Sequence, residues 1–403
     1  MTLTLLLDLD NTLLGNEMGD FLPVYLKKLS QRFPQWPAEE FIQKLMTATQ
    51  VMAHKSQPRF TLEEVFDQVF YPSLGVDKKA MIEDLNAFYE EEFPKLHYTT
   101  RQRPEAVHLV DQAFSAGYQV VIATNPIFPL SAIRHRLAWA GLPIDRYPFD
   151  LVTSFERLHF SKPNSAYYAE ICAQLGYPEH PIVMVGDSLE YDLIPSARIG
   201  IPGFLINGNS NSIPSGLPAD IQSGRLENVW DWIQSIAGQD PTSVSPVSQA
   251  AILAILKSTP AAFDSLFRDL TPAQWHHRPA EKEWTITEIL CHLRDVDNEV
   301  NLPRLEKIAQ EDTPFLAGIA TDPWAEERDY FHQSGKQALS MFIENRTRMT
   351  LQLDQLSPEG WQRPARHAIF GPSTLEELVS FSTTHDIVHI RQGFQTFQAA
   401  KRK

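Results

Sequence analysis

Five short apolar runs in the first half of the chain alternate with segments whose apolar residues recur at helical spacing. The runs are interpreted as buried strands: Leu3–Leu9, Tyr118–Thr124, Asp150–Ser154, Pro181–Gly186 and Gly203–Asn207. Helical spacing between them is clearest in Ala106–Ser115 and Ser165–Leu175. Strands that are apolar on both faces and alternate with helices are typical of a parallel sheet covered on both sides. The pattern therefore predicts an α/β Rossmann-like fold for this part of the chain.

The interval between the first two strands is far longer than a single crossover helix requires. Its apolar periodicity indicates helices at Asp20–Phe33, Ala38–His54, Leu62–Phe70 and Lys78–Phe93. We expect these helices, within residues 15–100, to form an inserted α-helical cap over the end of the sheet.

A segment rich in Gly, Pro and Ser, residues 238–246, is typical of a linker between a first domain, 1–237, and a second, 247–403. No strand pattern follows it. Four long amphipathic segments follow instead: Val247–Leu270, Thr285–Gln310, Ser334–Leu356 and Ser373–Phe397. Two of them begin with predicted capping boxes, Thr285 with Glu288 and Ser373 with Glu376. Four such helices predict an all-α four-helix bundle.

Charge and cysteine content restrict the partners and the compartment. The chain has 35 Lys and Arg against 50 Asp and Glu, a formal net charge of −15, and no basic face is evident. We therefore expect no nucleic-acid or membrane partner. The apolar runs are shorter than the roughly 20 residues that a membrane helix needs, and no cleavable signal pattern is visible. With Cys172 and Cys291 as its two cysteines, the chain suits a reducing cytoplasm.

Polar side chains follow the carboxyl ends of several predicted strands. Asp8 and Asp10 end the first strand, where two like charges are ordinary turn chemistry or the sign of a bound cation. The same ends of later strands, and the segment SKPNSAYY, supply Thr124, Asn125, Lys162, Asp187 and Asp192. Ligands of an open parallel sheet bind beyond the carboxyl ends of its strands, so we expect these side chains to meet at one edge.

Such a set of side chains suits phosphoryl transfer. One aspartate can attack phosphorus while a second carboxyl group protonates the leaving oxygen. Mg²⁺ prefers carboxylate and carbonyl oxygens and offsets the charge between nucleophile and phosphate. A lysine and a hydroxyl can bind the remaining phosphoryl oxygens. The set predicts Mg²⁺-dependent hydrolysis of a small phosphorylated metabolite through an aspartyl-phosphate intermediate.

Four segments in this order, DLDNTLL, ATNP, SKPNSAYY and GDSLEYDL, resemble the motifs of the haloacid dehalogenase superfamily. Within it they are most similar to phosphatases with a helical cap inserted after the first motif, and the resemblance covers residues 1–237. It implies that Asp8 is the nucleophile and Asp10 the general acid and base. It also implies that Thr124, Asn125 and Lys162 bind phosphate.

The same resemblance implies a metal site. Mg²⁺ would be held by Asp8, by Asp187 and by the carbonyl of Asp10, and Asp192 would orient the metal's waters or contact it. The glycine that usually follows the second aspartate is Asn11 here, a variant associated with nucleotidase-like members.

The last helical segment carries two histidines four residues apart, His385 and His389, which places both imidazoles on one helix face. His292 lies on the apolar side of the second predicted bundle helix, where a satisfied core histidine is the more common role. A bundle could bring the three imidazoles together around Zn²⁺, Ni²⁺ or Fe²⁺. Imidazole binds all three ions, so the ligands do not identify the metal.

WTITEILCHLRDVD and GPSTLEELVSFSTTHDIVHIRQ resemble the DinB-like metal-binding four-helix bundles, over residues 247–403. The resemblance implies that His292, His385 and His389 are metal ligands. It leaves the role of this domain open. The leading hypothesis is a phosphatase fused to a metal-binding bundle. The alternatives are a thiol-dependent transferase with a regulatory phosphatase-like half, and a bundle that serves as a dimerisation module in a homodimer.

Overall fold

The computed structural model describes residues 2–237, 244, 246 and 248–402. The chain divides into two compact units, one formed mainly by residues before Val244 and one mainly by the residues from Val244 onward. Apart from 244 and 246, the predicted linker lies outside the described residues. The domain limits 1–237 and 247–403 stay a prediction.

Eleven strands occur in the described part of the chain, and we number them in chain order. They are β1 (Thr4–Leu7), β2 (Leu14–Gly15), β3 (Arg101–Gln102), β4 (Gln119–Ile122), β5 (Leu151–Val152), β6 (Ile182–Gly186), β7 (Gly203–Ile206), β8 (Ile221–Gly224), β9 (Phe315–Leu316), β10 (Pro364–His367) and β11 (Gly371–Thr374).

Six of these strands form one parallel sheet in the order β5-β4-β1-β6-β7-β8. β1 lies at the centre, where Leu5 pairs with Val120 on one side and with Val183 on the other. All four residues of β1 are buried, as the unbroken apolar run predicted. The Rossmann-like fold class is therefore confirmed. β8, whose sequence IQSG lacks an apolar run, was not predicted because it lies at the sheet edge and is only partly buried.

The helices of the first part of the chain run in the order α1 (Met18–Arg32), α2 (Ala38–Ala53), α3 (Leu62–Ser73), α4 (Ile82–Ala87), α5 (Pro104–Ser115), α6 (Leu130–Trp139), α7 (Ser165–Gln174), α8 (Ile194–Ala197) and α9 (Val229–Ile236). Helices α1 to α4 are the cap. β2 and β3 pair antiparallel at its base, with Leu14 opposite Gln102, so the chain leaves and re-enters the sheet domain side by side.

The fourth cap helix was predicted as one helix, Lys78–Phe93, and this is wrong. A 3₁₀ turn, α4 and a π-turn succeed one another over this interval. The break falls at Met81, whose φ of −124° is not helical and whose side chain is buried in the cap core. Helical periodicity was correct there, but it does not show the interruption, which coincides with the buried side chain of Met81.

The second unit contains α10 (Gln249–Phe267), α11 (Pro272–Trp275), α12 (Ile286–Val296), α13 (Leu302–Gln310), α14 (Trp324–Glu327), α15 (Gly335–Asp354), α16 (Pro358–Trp361) and α17 (Leu375–Lys401). A π-turn at Asp297–Asn301 joins α12 to α13, so the predicted second helix is continuous but irregular. α10, α12, α15 and α17 pack together as the expected four-helix bundle.

Two details of the second unit differ from the sequence prediction. The capping box of α17 consists of Thr374 and Glu377, one residue beyond the predicted pair Ser373 and Glu376. The box at Thr285 and Glu288 is confirmed. Strands also occur where none was expected, because β9, β10 and β11 form a small sheet at one end of the bundle. Each is at most four residues long, too short to give an alternating pattern.

One helix in the described residues, α10, is long and apolar enough by itself to cross a membrane. This exceeds the apolar length expected from the sequence. Of its most apolar 18-residue window, 78% is buried within the protein, as is common for the central helix of a bundle.

Candidate active site and metal centre

The central strands bring the first and fourth motifs to one edge of the sheet. β1 and β6 are neighbours, and Asp8 and Asp187 are the residues that directly follow them. The ladder continues to the edge, since the Asp8 amide donates to the Val185 carbonyl at 3.0 Å. On the other side of β1 the Ala123 amide donates to the Leu7 carbonyl at 2.7 Å, directly before Thr124. The aspartates are therefore carried by rigid backbone.

Three carboxylates meet at this edge. Asp8, Asp187 and Asp192 each offer an oxygen atom, and these atoms lie within 4.8 Å of one another. The Lys162 ammonium donates to Asp8 Oδ1 at 2.7 Å and to Asp192 Oδ1 at 2.5 Å. Burial, with the nearby charge of Asp8, raises the pKa of Asp187 to about 6, and the same causes raise the pKa of Asp192. Lys162 contacts two of the three clustered carboxylates, and the Arg103 and Arg136 guanidinium groups act on Asp187 and Asp8 through space.

The position of Asp192 depends on the glycine that ends β6. A Cβ atom added to Gly186 would lie 2.3 Å from Asp192 Oδ2. The Asp192 carboxylate has little freedom to move away, because Oδ2 also accepts from the Ser188 amide at 3.0 Å and Oδ1 is held by Lys162. Glycine is thus required here for close approach, not for an unusual backbone angle.

The Asp10 carboxylate points to a different set of partners. Its Oδ1 accepts a hydrogen bond from Asn16 Nδ2 at 2.7 Å and another from the Arg136 guanidinium. Arg136 lies on α6 and is buried, and burial lowers its pKa to about 10. The carboxyl group of Asp10 is therefore paired with a cation of its own and is not one of the three clustered carboxylates.

Sequence reasoning missed both Arg136 and Asn16. A weak signal existed for Arg136, which shares a helical face with the buried Ala132 and Ile133. A buried arginine on an apolar face needs an anionic partner, but the sequence alone does not say which carboxylate supplies it.

Thr124 and Asn125 carry buried polar side-chain atoms. Thr124 Oγ1 and Asn125 Oδ1 are buried and have no hydrogen-bond partner among the described residues. The Thr124 carbonyl, in contrast, accepts from the Tyr167 hydroxyl at 2.7 Å and from Thr153 Oγ1 at 2.8 Å. The backbone of this loop is therefore fixed while the side-chain oxygens are available to a ligand, because unsatisfied buried polar atoms are rare without a role.

Asn11 occupies the position where the resembling family has glycine. Its φ of 55° lies in the left-handed region, which asparagine tolerates better than most residues. Its side-chain oxygen accepts from the Asn16 amide at 3.1 Å. The substitution therefore preserves the turn that follows Asp10 and adds a bond that steadies Asn16.

The donor set at this edge fits a magnesium ion. Hard carboxylate oxygens, partly buried and in excess of nearby positive charge, are the ligands that Mg²⁺ takes in proteins, and two or three of them are sufficient. The structure brings Asp8, Lys162, Asp187 and Asp192 together. Assignment of the Asp10 carbonyl as a further ligand stays a prediction.

A second cluster lies in the bundle. The Nε2 atoms of His292 and His385 are 3.1 Å apart, and those of His389 and His385 are also 3.1 Å apart. His292 comes from α12, and the other two come from α17. The three histidines predicted to be ligands therefore direct one ring nitrogen each to a common point.

Neighbouring groups orient these rings. Gln392 Oε1 lies 3.0 Å from His389 Nδ1, so a proton on Nδ1 leaves Nε2 free as a ligand atom. The Trp284 ring stacks on His389 with centroids 5.9 Å apart. Burial lowers the pKa of His292 to about 3 and those of His385 and His389 to about 4. Imidazoles that are neutral at pH 7 are the form that binds a metal.

The helix that carries the histidine pair is anchored by a buried ion cluster. The Arg346 guanidinium on α15 donates to Asp297 Oδ2 at 2.8 Å and to Asp386 Oδ1 at 3.0 Å. All three residues are buried. Asp386 directly follows His385, so this cluster fixes the register of α17 against α12. No pattern in the sequence predicts this cluster.

Comparisons with known proteins agree with the two-part organisation. Residues 2–200 match the family model for haloacid dehalogenase-like hydrolases, and residues 255–392 match that of the DinB superfamily. The chain is 30% identical over 115 residues to pyrimidine 5′-nucleotidase YjjG of Escherichia coli (strain K12). These aligned residues make up 28% of this chain and 48% of that protein. The chain thus spans about half the length of this curated relative.

Structural comparison also found a solved structure that matches each part of the chain. One is a HAD phosphatase from Thermococcus onnurineus, which is 18% identical in sequence. The alignment covers 58% of this chain and 99% of the phosphatase chain, with a TM-score of 0.39. YfiT from Bacillus subtilis, which has an unusual four-helix bundle topology, is 20% identical, covering 40% of this chain and 91% of its own, with a TM-score of 0.35.

Proposed function

We propose that this chain is a magnesium-dependent phosphatase of small phosphorylated metabolites. The premise is that residues 2–200 belong to the haloacid dehalogenase-like hydrolases and residues 255–392 to the DinB superfamily. One observation carries the proposal. The carboxylates of Asp8, Asp187 and Asp192 meet beside the Lys162 ammonium. Buried carboxylates in excess of positive charge favour a divalent cation, and a cation beside an ammonium favours a phosphate group.

Asp8 and Asp10 divide the chemistry between them. An oxygen of Asp8 forms a bond to phosphorus while the bond from phosphorus to the leaving oxygen breaks, and Asp10 gives that oxygen a proton. Water then attacks the aspartyl phosphate, Asp10 takes the water's proton, and the bond between phosphorus and Asp8 breaks. Inorganic phosphate leaves, and both carboxyl groups return to their first state.

The surrounding residues bind and orient the phosphoryl group. Asp8, Asp187, Asp192 and the Asp10 carbonyl would hold Mg²⁺, which when bound offsets charge between the nucleophile and the phosphate. Lys162 and the Thr124 hydroxyl would donate to phosphoryl oxygens. The Thr124 hydroxyl has no hydrogen-bond partner in the described part of the chain, which supports this role, because a bound phosphate would satisfy it.

The test is the release of phosphate from 4-nitrophenyl phosphate with added Mg²⁺ and with a chelator. We expect Mg²⁺-dependent release that falls at least about a thousandfold in Asp8→Asn, because the nucleophile is lost. Asp145→Asn, which changes an exposed carboxylate outside the site, serves as the matched control and should retain full activity. Equal activity in Asp8→Asn and the parent protein would refute the assignment of the nucleophile.

We also propose that the bundle holds one divalent transition metal, Zn²⁺, Ni²⁺ or Fe²⁺, on His292, His385 and His389. The convergence of three Nε2 atoms favours this second role. Elemental analysis should give about one metal per chain in the parent protein and in His332→Ala, whose imidazole is exposed. The double variant His385→Ala with His389→Ala should lose it. Retention of a full equivalent in the double variant would reject the site.

A further inference from the structure

The cap encloses a cavity of about 380 Å³. One side of it is an apolar stripe on α1 that includes Leu22, Leu26 and Leu29. Helices α2, α3 and α4 supply further walls, and the loops that follow β4 and β5 close it toward the sheet. Cavities of a few hundred Å³ with mostly apolar walls are typical of small-molecule sites.

Most charged groups that line this cavity form ion pairs or hydrogen bonds within the protein. Lys78 is the cation among the described lining residues, and its ammonium donates to Glu63 at 2.6 Å and to Asp67 at 2.7 Å. Glu156 accepts from the Leu130 amide at 2.9 Å, and burial raises the pKa of its carboxyl group. Because carboxylates outnumber the cation, the cavity disfavours a ligand that brings further negative charge.

Two residues of the cavity wall lie next to the hydrogen-bond partners of Asp10. Asn16 Nδ2 donates to Asp10 Oδ1 at 2.7 Å and lies 3.7 Å from the sulfur of Met18, which lines the cavity. The Arg136 guanidinium, which also bonds Asp10, lies 5.3 Å from the ring centroid of Phe128, another lining residue. Each hydrogen-bond partner of Asp10 therefore neighbours a residue of the cavity wall, and Asp10 is one side chain removed from the cavity.

We infer that the substrate's leaving group is a bulky, uncharged and largely apolar alcohol whose body occupies this cavity. The inference rests on the proposed phosphatase function, because Asp10 protonates the leaving oxygen and so places the alcohol on its own side of phosphorus. Most of the wall is apolar, and several of its polar side chains are already paired, as Tyr25 is with Tyr89 and Thr49 is with the Leu45 carbonyl. A sugar or glycerol body would therefore lose more hydration than the wall replaces. An aliphatic or aromatic body gains by leaving water.

The test compares phosphate esters of primary alcohols, whose scissile bonds are similar in reactivity. The apolar probes are octyl phosphate and 2-phenylethyl phosphate, and the polar probes are glycerol 3-phosphate, ribose 5-phosphate and uridine 5′-monophosphate. We expect kcat/KM to be at least about tenfold higher for the apolar probes. If a polar probe is hydrolysed as well as 2-phenylethyl phosphate, the inference is wrong and the phosphatase proposal stands. If no probe releases phosphate with Mg²⁺, the phosphatase proposal itself fails.

Two variants on α2 test whether the preference for an apolar leaving group arises in this cavity. Thr49 lines the cavity, whereas Thr47 on the same helix is exposed and does not. Thr49→Trp fills the cavity and should lower the ratio of kcat/KM for 2-phenylethyl phosphate to that for ethyl phosphate at least about tenfold. Thr47→Trp should leave this ratio unchanged. An unchanged ratio in Thr49→Trp would overturn the cavity as the subsite, whatever its effect on overall activity.

Discussion

The guanidinium of Arg136 donates a hydrogen bond to the carboxylate of Asp10, the residue proposed to move protons in both steps of the reaction. Arg136 is buried on α6 between the rings of Phe21 and Phe128. An arginine in this position is always charged and cannot itself supply the proton. It therefore acts through Asp10, and we assign it as a positioning residue.

Replacement of Arg136 tests this assignment. Arg136→Gln should lower kcat roughly tenfold to a hundredfold, within the range that general acid–base catalysis contributes. The acid limb of the pH profile should move to higher pH, because a carboxylate that loses a cationic partner binds its proton more tightly. Arg134→Gln, an exposed arginine on the same helix, is the control. A fall in kcat without a change in the pH profile would indicate a merely structural role.

Gly186 is predicted to control metal affinity through steric space alone. Gly186→Ala places a methyl group 2.3 Å from Asp192 Oδ2, whose carboxylate is held by Lys162 and by the Ser188 amide. The displaced carboxylate should raise the Mg²⁺ concentration for half-maximal activity at least about tenfold, the order of loss seen when groups that orient metal ligands are disturbed.

Gly19→Ala is the corresponding control, because nothing lies within 4 Å of the added atom and the residue is in α1. It should be neutral or stabilising by about 0.5–1 kcal/mol. An unaltered Mg²⁺ requirement in Gly186→Ala would show that Asp192 tolerates displacement.

The histidine cluster should make the metal-free protein sensitive to acid. The pKa values of His292, His385 and His389 are lowered to about 3, 4 and 4, below the ordinary value near 6.5 that an unfolded chain has. Between these limits the unfolded state binds more protons, so the free energy of unfolding falls as the pH is lowered. The slope approaches roughly 1.4 kcal/mol per pH unit for each histidine.

Denaturant unfolding with a chelator, at pH values from about 7 to 4, measures this slope. The double variant His385→Gln with His389→Gln should show a shallower dependence over the same range. Asp187 and Asp192 have raised pKa values and therefore contribute to the pH slope with the opposite sign from the histidines. This contribution is the same in both proteins, so it cancels when their slopes are compared. Identical slopes would mean that these imidazoles titrate normally.

Arg346 is expected to be essential for the bundle's stability. Arg346→Met leaves Asp297 and Asp386 buried without their cation, which should cost about 3–5 kcal/mol of the free energy of unfolding. Arg348→Met, an exposed arginine on the same helix, should change stability by less than about 0.5 kcal/mol. Chemical denaturation of both variants decides the matter, and equal stability would contradict the proposed anchoring role.

Motif residues were predictable because they follow strand ends. Asp8 and Asp187 lie next to each other since parallel strands bring their carboxyl ends to one edge, a geometric consequence of the alternating pattern. The histidines were predictable from a spacing of four residues on one helix and from the resemblance that added His292. The partners of these groups were not predictable. Arg136 reaches Asp10 from α6, 126 residues along the chain. Asn16 and Gln392 lie only six and three residues from Asp10 and His389, but their side-chain contacts are not part of the apolar pattern.

The sequence by itself determined the central strands of the large sheet, most of the long helices and the order of the motifs, because a strand buried on both faces is a continuous apolar run and a helix buried on one side repeats every 3.6 residues. Tertiary structure alone decided which charges meet. Asp10 could have joined the carboxylates of Asp8 and Asp187, but it pairs with Arg136, a residue far along the chain. The strength of an ion pair depends on the distance between the charges and on their burial, and a local stretch of sequence determines neither.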